Sequence, residues 1–339
     1  MDTSMTGAGL AVFAGIAMGL SAAPIKFMKS YRYEHWAFIN SFLALIVLPW
    51  SLAVALCPDL SGALGHIPMS SYLKANLWSL AWGVANILCC LCYVRIGVSL
   101  TVGLLTGVGL PVGILLPMVF KGSGQFATAP SLLSSTGFAL LALTLVLVFA
   151  VALMARAGSE REQKGIETRG SFKVGLLMAI AAGFLQVGLS FAFVYSQGPL
   201  VEALKIRTAG ESGAIAAVWA VTLPGGALLN VLFPLFLMVR GRNVNTLLSA
   251  PKDFALTLLM PLCFVTSLLC MGNGMRMMGA LGASLGFGLQ QGLSILTAQG
   301  VGVFTGEWKG VLRRTQVLMI GAVVLMLATV CAMAFLRAR

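Results

Sequence analysis

Charge is what this sequence has least of. Of its 339 residues 9% are Asp, Glu, Lys or Arg against 59% hydrophobic, and the mean hydropathy is +0.96. A soluble domain carries about a quarter charged residues, so one or two water-soluble domains are excluded, and intrinsic disorder with them. Histidine is nearly absent: His35 and His66 lack metal-ligand spacing, and no G-x-x-x-x-G-K-[ST] phosphate loop occurs. The sequence therefore predicts no catalytic constellation, no metal, no cofactor and no ATP-driven transport by this chain alone. The seven cysteines sit mostly in apolar runs, where thiols act as small hydrophobes. Cys89 and Cys92 form a C-x-x-C without the His or carboxylate a metal or redox site would need.

Long apolar runs are what the sequence has instead. Ten of them, at about 5–25, 36–57, 71–94, 98–120, 132–155, 172–196, 213–239, 254–275, 281–305 and 315–336, are each long enough to cross a bilayer as a helix. They are continuous and do not alternate, which speaks against a transmembrane β-barrel. The first run has no basic residue before it and reads as a retained helix, not a signal peptide. The fold class is an all-α polytopic membrane protein.

The net charge of +12 is scattered among short loops and forms no compact basic face, so nucleic acid is not an expected partner. Most Lys and Arg, among them Lys26, Lys29, Arg32, Arg95, Arg156, Arg161, Arg313 and Arg314, fall in odd-numbered loops. The positive-inside rule then puts those loops in the cytoplasm and both termini outside.

The longest polar stretch follows the fifth run and divides the chain into residues 1–156, a charged cytoplasmic linker 157–171, and residues 172–339. The halves echo one another. Gly15-Ile16-Ala17-Met18-Gly19 resembles Ala179-Ile180-Ala181-Ala182-Gly183, and Val98-Ser99-Leu100-Thr101-Val102-Gly103 resembles Ala283-Ser284-Leu285-Gly286-Phe287-Gly288. Five is odd, so the expectation is ten transmembrane helices as two inverted five-helix repeats, the architecture of alternating-access transporters. Small-x-x-x-small pairs such as Gly103/Gly107 and Gly288/Gly292 suit close helix packing.

All ten acidic residues fall in loops or at helix ends. Without a mid-membrane carboxylate, a cationic substrate and a simple buried-carboxylate proton relay are disfavoured. The membrane-embedded polar groups are amides (Asn40, Asn86, Gln186, Asn230, Asn273, Gln290, Gln291, Gln299) accompanied by Trp36, Trp50, Trp82, Tyr195 and Trp219. Amides suit hydroxyl groups, and aromatic faces suit the C–H face of a sugar. Each amide also has a plainer use as an interhelical hydrogen bond, and Trp36 and Trp50 sit where interfacial anchors sit. Trp82, Asn86, Asn230, Gln290 and Gln291 are the deeper, substrate-binding candidates. Lys26, Glu202 and Glu211 are candidates for a gate or for ion coupling, alongside the plainer readings of lipid snorkelling and solvated loop.

Several segments together resemble the L-rhamnose/proton symporters: Ala23-Pro24-x-Lys26, Leu48-Pro49-Trp50, Trp82-Gly83-x-x-Asn86, Arg95-x-Gly97, Ala155-Arg156-Ala157-Gly158, Gly225-Gly226-Ala227-x-x-Asn230 and Glu307-Trp308. The resemblance implies the drug/metabolite transporter superfamily, ten helices in inverted repeats, and uptake of a neutral deoxyhexose with a coupling ion, proton or sodium, across a bacterial inner membrane. It has one departure: Ala283 and Gln290 stand where enteric members carry an acidic residue and a histidine. Two other readings remain: a metabolite or drug exporter of the same superfamily, and a membrane-embedded sensor or enzyme.

Overall fold

The computed structural model describes residues 3–119, 133–162, 171–189, 191–192, 211–277 and 287–338, and among these it holds helices and no strand. The principal helices are α1 (Thr3–Leu20), α2 (Tyr33–Phe42), α3 (Leu48–Leu56), α4 (Leu60–Gly65), α5 (Met69–Arg95), α6 (Val98–Val119) and α7 (Ser135–Glu162). They continue as α8 (Phe172–Leu185), α9 (Glu211–Thr222), α10 (Pro224–Arg240), α11 (Thr246–Ser249), α12 (Pro251–Met277), α13 (Phe287–Phe304) and α14 (Arg313–Ala338). Helix falls within each of the ten apolar runs. Seven of the described helical segments are long and apolar enough to cross a membrane, or eight if the bent pair α9 and α10 counts as one.

Two of the runs expected to be single helices are interrupted at a Leu-Pro pair. Proline has no N–H to give the preceding turn and its ring crowds that turn's carbonyl. Before Pro49 the chain widens into a π turn, Leu43–Val47, whose end is closed by the Leu48 N–H on Leu43 O. Before Pro224 the run breaks, and α9 and α10 meet at 56°.

The chain forms two compact units, each drawing on both halves of the sequence. The first unit comprises Met1–Leu20, Leu91–Phe184 and Cys270–Arg339. Here α1 lies on α13 through glycine: a Cβ on Gly15 would stand 2.5 Å from Gln290 O, and one on Gly19 2.5 Å from Thr297 Cβ. Likewise α8 meets α6 at one glycine, where a Cβ on Gly183 would stand 2.6 Å from Val108 Cβ, while one on Gly175 would meet Ile96 in the connection between α5 and α6. Gly103 and Gly107 do not face α13 as a backbone-to-backbone seam; they receive the Met154 and Val151 side chains of α7. In lipid the apolar effect gives little drive for helix to meet helix, so close backbones and fitted side chains carry the association. Leu100, Leu104, Leu147, Met154, Ile295 and Met326 form its core, while Phe138, Leu145 and Phe149 of α7 are exposed, as lipid-facing residues are.

The second unit comprises Ser21–Cys90 and Leu185–Leu269. In it α3 packs on α9 through Ala53, Ala217 and Val221, and α2 packs on α10. Asp253, in the first turn of α12, accepts backbone N–H bonds from Lys29 (3.1 Å), Ser30 (2.6 Å) and Tyr31 (2.9 Å), fixing the connection that leads into α2. Burial and the neighbouring Asp253 push the Tyr31 phenol above its ordinary value, so it remains a donor to Leu247 O at 2.7 Å. Trp36 is 1% exposed and edge-on to Tyr33, inside protein and not at the lipid surface where an anchor would lie.

Candidate functional site

The break at Pro224 is built by α5. Leu223 N–H still bonds Trp219 O and Ala227 N–H bonds Leu223 O, so only the three residues between them lose the helical ladder. Pro224 has no N–H to lose. Gly225 N–H donates to Asn76 Oδ1 at 2.8 Å, and Gly226 N–H to Ser79 Oγ at 3.0 Å. Asn76 Nδ2 in turn donates to Val221 O at 3.3 Å, the carbonyl that Gly225 would bond in an unbroken helix, and to Tyr72 O at 3.0 Å. Backbone polar groups at membrane depth must be satisfied within the protein, and this side-chain amide satisfies both sides of the break.

One turn along, Trp82, Asn86 and Asn230 come together. A Cβ on Gly83 would lie 2.9 Å from Gly226 Cα, so both positions must be glycine for α5 and α10 to approach this closely. Asn230, 3% exposed, donates to Gly83 O (3.0 Å) and Gly226 O (2.8 Å) and accepts from Asn86 Nδ2 (2.8 Å). Both its N–H groups are thus occupied. Asn86 is half-buried and keeps its carbonyl oxygen and second N–H outside these bonds. Trp82 is buried over Gly226, and its ring stacks with Phe264 at 6.5 Å and 25°.

Gln290 and Gln291 belong to the first unit, on α13. Gln290 is 2% exposed, and its Oε1 has no hydrogen-bond partner among the described residues. A buried amide oxygen left this way costs about 1–3 kcal/mol, which a ligand hydroxyl would offset. Gln291 is half-buried. Lys26 lies half-buried in the 3-10 turn Ala23–Phe27. Glu202 and Ala283 lie outside the described residues. Glu211 opens α9, and its side chain is outside them too.

A second polar cluster, in the first unit, involves groups whose positions in the sequence predict loops. Glu307 Oε1 accepts from Val98 N–H (2.8 Å), and Oε2 accepts from Ser99 N–H (3.3 Å) and Ser99 Oγ (2.6 Å). These are the first amides of α6, which lack partners within the helix and sit at its positive end. Gly97, at φ +90°, turns the chain from α5 into α6, and a Cβ there would stand 2.7 Å from Glu307 Oε2. Trp308 Nε1 donates to Ser99 Oγ at 3.1 Å, and Gln299 Nε2 to Ser99 O at 2.9 Å. Arg161 is not in a loop: α7 continues past residue 155 to Glu162, and Arg161, 3% exposed, lies 3.9 Å from Glu307 and donates to Ile96 O. Its positive charge is therefore spent inside the protein. Asn76, Ser79 and Arg161 are the residues that sequence reasoning missed. The paired glycines Gly225-Gly226 and the isolated Gly97 were the available signals.

The segments that resemble a transporter family thus meet in pairs: Trp82-Gly83-x-x-Asn86 with Gly225-Gly226-Ala227-x-x-Asn230, and Arg95-x-Gly97 with Glu307-Trp308. The family model described as L-rhamnose-proton symport protein (RhaT) matches residues 7–335. The chain belongs to this symporter family. Among curated relatives, an L-rhamnose-proton symporter of Citrobacter koseri is 28% identical over 324 residues, 90% of each chain. One of Salmonella gallinarum is 28% identical over 323 residues, again 90% of each. One of Klebsiella pneumoniae subsp. pneumoniae is 30% identical over 237 residues, covering 69% of this chain and 66% of the relative. This rhamnose-symport family is one of transporters and not of enzymes, which agrees with a site made of amides, indole and glycine.

Proposed function

We propose that the protein is a secondary active transporter that takes up a neutral deoxyhexose, L-rhamnose or a close analogue, together with a proton, by alternating access. The observation that carries this reading is the family match from residue 7 to residue 335, with relatives named for rhamnose-proton symport. The superfamily is that of drug/metabolite transporters, and the membrane is the bacterial inner membrane, with both termini on the periplasmic side. The ten runs form two inverted five-helix repeats, residues 1–156 and 172–339, joined by residues 157–171, of which 157–162 prolong α7. Two features support the repeat: α1 meets α13 at Gly15 and Gly19 and α8 meets α6 at Gly183, and the second and seventh runs each deviate at a Leu-Pro pair.

In this reading Gln290 and Gln291 on α13 bond sugar hydroxyls; within the second unit Asn86, held in place by Asn230, and the apolar ring of Trp82 are substrate-binding candidates of their own. Gln290, whose buried oxygen lacks a partner among the described residues, is the main contact. For the coupling proton, several carboxylates are already engaged: Glu34 with Asn243, Asp59 at the start of α4, Glu160 with Thr315 and Arg156, Asp253 with three amides, and Glu307 with α6. Asp2, Glu162, Glu167, Glu202 and Glu211 remain, and of these we take Glu202 or Glu211, which precede the seventh run in the sequence, as the proton carrier, with Lys26 at the inner gate.

Uptake of labelled L-rhamnose into proteoliposomes tests the reading, with an inward proton gradient, an inward sodium gradient, or neither. Accumulation driven by the proton gradient and lost in Gln290→Ala is the expected result. Accumulation driven only by sodium would replace the coupling ion. Absence of uptake for every deoxyhexose and hexose would overturn the substrate.

A further inference from the structure

We propose that Asn76 is the positioning residue of the joint between α9 and α10, its side-chain amide standing in for the Gly225-to-Val221 backbone hydrogen bond whenever the helix is bent. The inference rests on the transporter reading for its role in a cycle, but the joint itself rests on geometry alone.

The break lies well inside the run. Twelve residues of α9 precede it and 17 of α10 follow, which at 1.5 Å per residue is about 18 Å on one side and about 25 Å on the other. Val221 and Gly226 are buried, so water is poorly placed to replace a missing partner there. The Asn76 amide is matched to the gap: its oxygen takes the Gly225 N–H and its nitrogen feeds the Val221 carbonyl. Ser79, three residues on along α5, takes the next amide, Gly226 N–H. Among side chains only asparagine and glutamine carry such a donor and acceptor on one carbon, and the extra methylene of glutamine would overreach.

Glycine at 225 and 226 is required by the same arrangement. A Cβ on Gly225 would run into the Asn76 backbone carbonyl, and one on Gly226 would lie 2.7 Å from the Trp82 ring. Two arrangements then keep Gly225 N–H and Val221 O bonded, while Ala220 O lacks its helical donor in both because Pro224 has no N–H. In the bent form Asn76 bridges the break. In a straighter form Gly225 N–H returns to Val221 O and the Asn76 amide is released. A joint with two such states is bistable, the property alternating access needs of a moving element. Asn230 lies one turn past Gly226 on α10 and bonds Asn86 of α5, so the bend sets where this pair stands.

The experiment uses the full chain in proteoliposomes, as wild type, Asn76→Ala, Asn76→Asp, Pro224→Ala and the Asn76→Ala/Pro224→Ala double variant. Rhamnose uptake gives Vmax and KM, and hydrogen exchange reports the segment 221–227 independently of transport. Asn76→Ala should lower Vmax about tenfold with KM within about twofold, and speed exchange at Gly225 about tenfold, as expected for loss of a hydrogen bond made in one state of the cycle. Asn76→Asp keeps the acceptor and should preserve Gly225 protection while still slowing turnover, which keeps the idea testable if the alanine variant does not fold. Replacing Pro224 lets the backbone bond form directly, so adding Asn76→Ala to it should change exchange by less than about twofold. Wild-type Vmax and exchange in Asn76→Ala, or an equal effect of that change with and without Pro224, would overturn the proposal. If the wild type moves no sugar, the transport reading fails by itself and the exchange comparison still decides the joint.

Discussion

Arg161 lies over Trp308, its Cζ 5.1 Å from the ring centroid, with the Glu307 carboxylate 3.9 Å from its guanidinium. The three groups join the end of α7, the start of α6 and the connection between α13 and α14. Arginine suits this place because its flat cation both stacks on indole and pairs with a carboxylate, which a lysine ammonium cannot reproduce together.

Removal of one partner leaves the other charge buried. Arg161→Ala should therefore destabilise the protein by about 3–5 kcal/mol, and Arg161→Lys should recover less than half of that. Thermal unfolding of the detergent-solubilised protein measures both. A melting temperature for Arg161→Ala equal to wild type would show the cluster to be inert.

The two asparagines differ in what they hold. Asn230→Ala removes three hydrogen bonds and Asn86→Ala one, so the first should cost more stability. A double-mutant cycle on the pair should give a coupling of about 0.6 kcal/mol, the usual size for hydrogen bonds between membrane helices. Asn86→Ala should raise the sugar KM more than it lowers stability. Equal stability losses for both single variants would contradict this division of roles.

A Cβ placed on Gly19 would stand 2.5 Å from Thr297 Cβ and 2.7 Å from the backbone oxygen of Ser294, both on α13. Gly19→Val should force the two helices apart at a cost of about 1–3 kcal/mol. Gly9 has nothing within 4 Å of such a Cβ, so Gly9→Ala should cost nothing and, inside a helix, gain about 0.5–1 kcal/mol. Unfolding in increasing denaturing detergent compares the two.

Asp253 holds three consecutive amides before α2. Hydrogen bonds to a charged acceptor are each worth about 1.5–3 kcal/mol, and Asp253→Ala should free residues 29–31 to exchange their amide hydrogens rapidly. Asp253→Asn keeps an acceptor oxygen and should protect them in part. Unchanged exchange in the alanine variant would remove Asp253 from this role.

The helices were legible because apolar runs of about 20 residues have few other uses. Asn86 and Asn230 were legible as polar atoms in apolar surroundings, and they do bond one another. Asn76 was not: it lies close to the charged residue Lys74, where an asparagine looks like a loop-side residue, and its meaning depends on a helix break 149 positions away. The break itself was written in Leu223-Pro224-Gly225-Gly226, but a membrane helix often tolerates proline, and Pro234 and Pro261 lie inside α10 and α12 without ending them. Arg161 was hidden for a related reason. Counting basic residues treats each as facing water, and only the partner at Glu307, far along the chain, shows that this one does not.

The seat of α1 on α13 sets a timetable for biosynthesis. Gly15 emerges from the ribosome about 275 residues before its contact at Gln290, a delay of roughly 14–55 s at the usual pace of synthesis. Throughout that interval the glycine stripe of the first helix has no mate, and any early neighbour that fits glycine can occupy it. Assembly of the first unit is therefore a late event gated by insertion of the penultimate span, and a chain truncated before α13 should be degraded as an unassembled membrane fragment, not retained as a partial transporter.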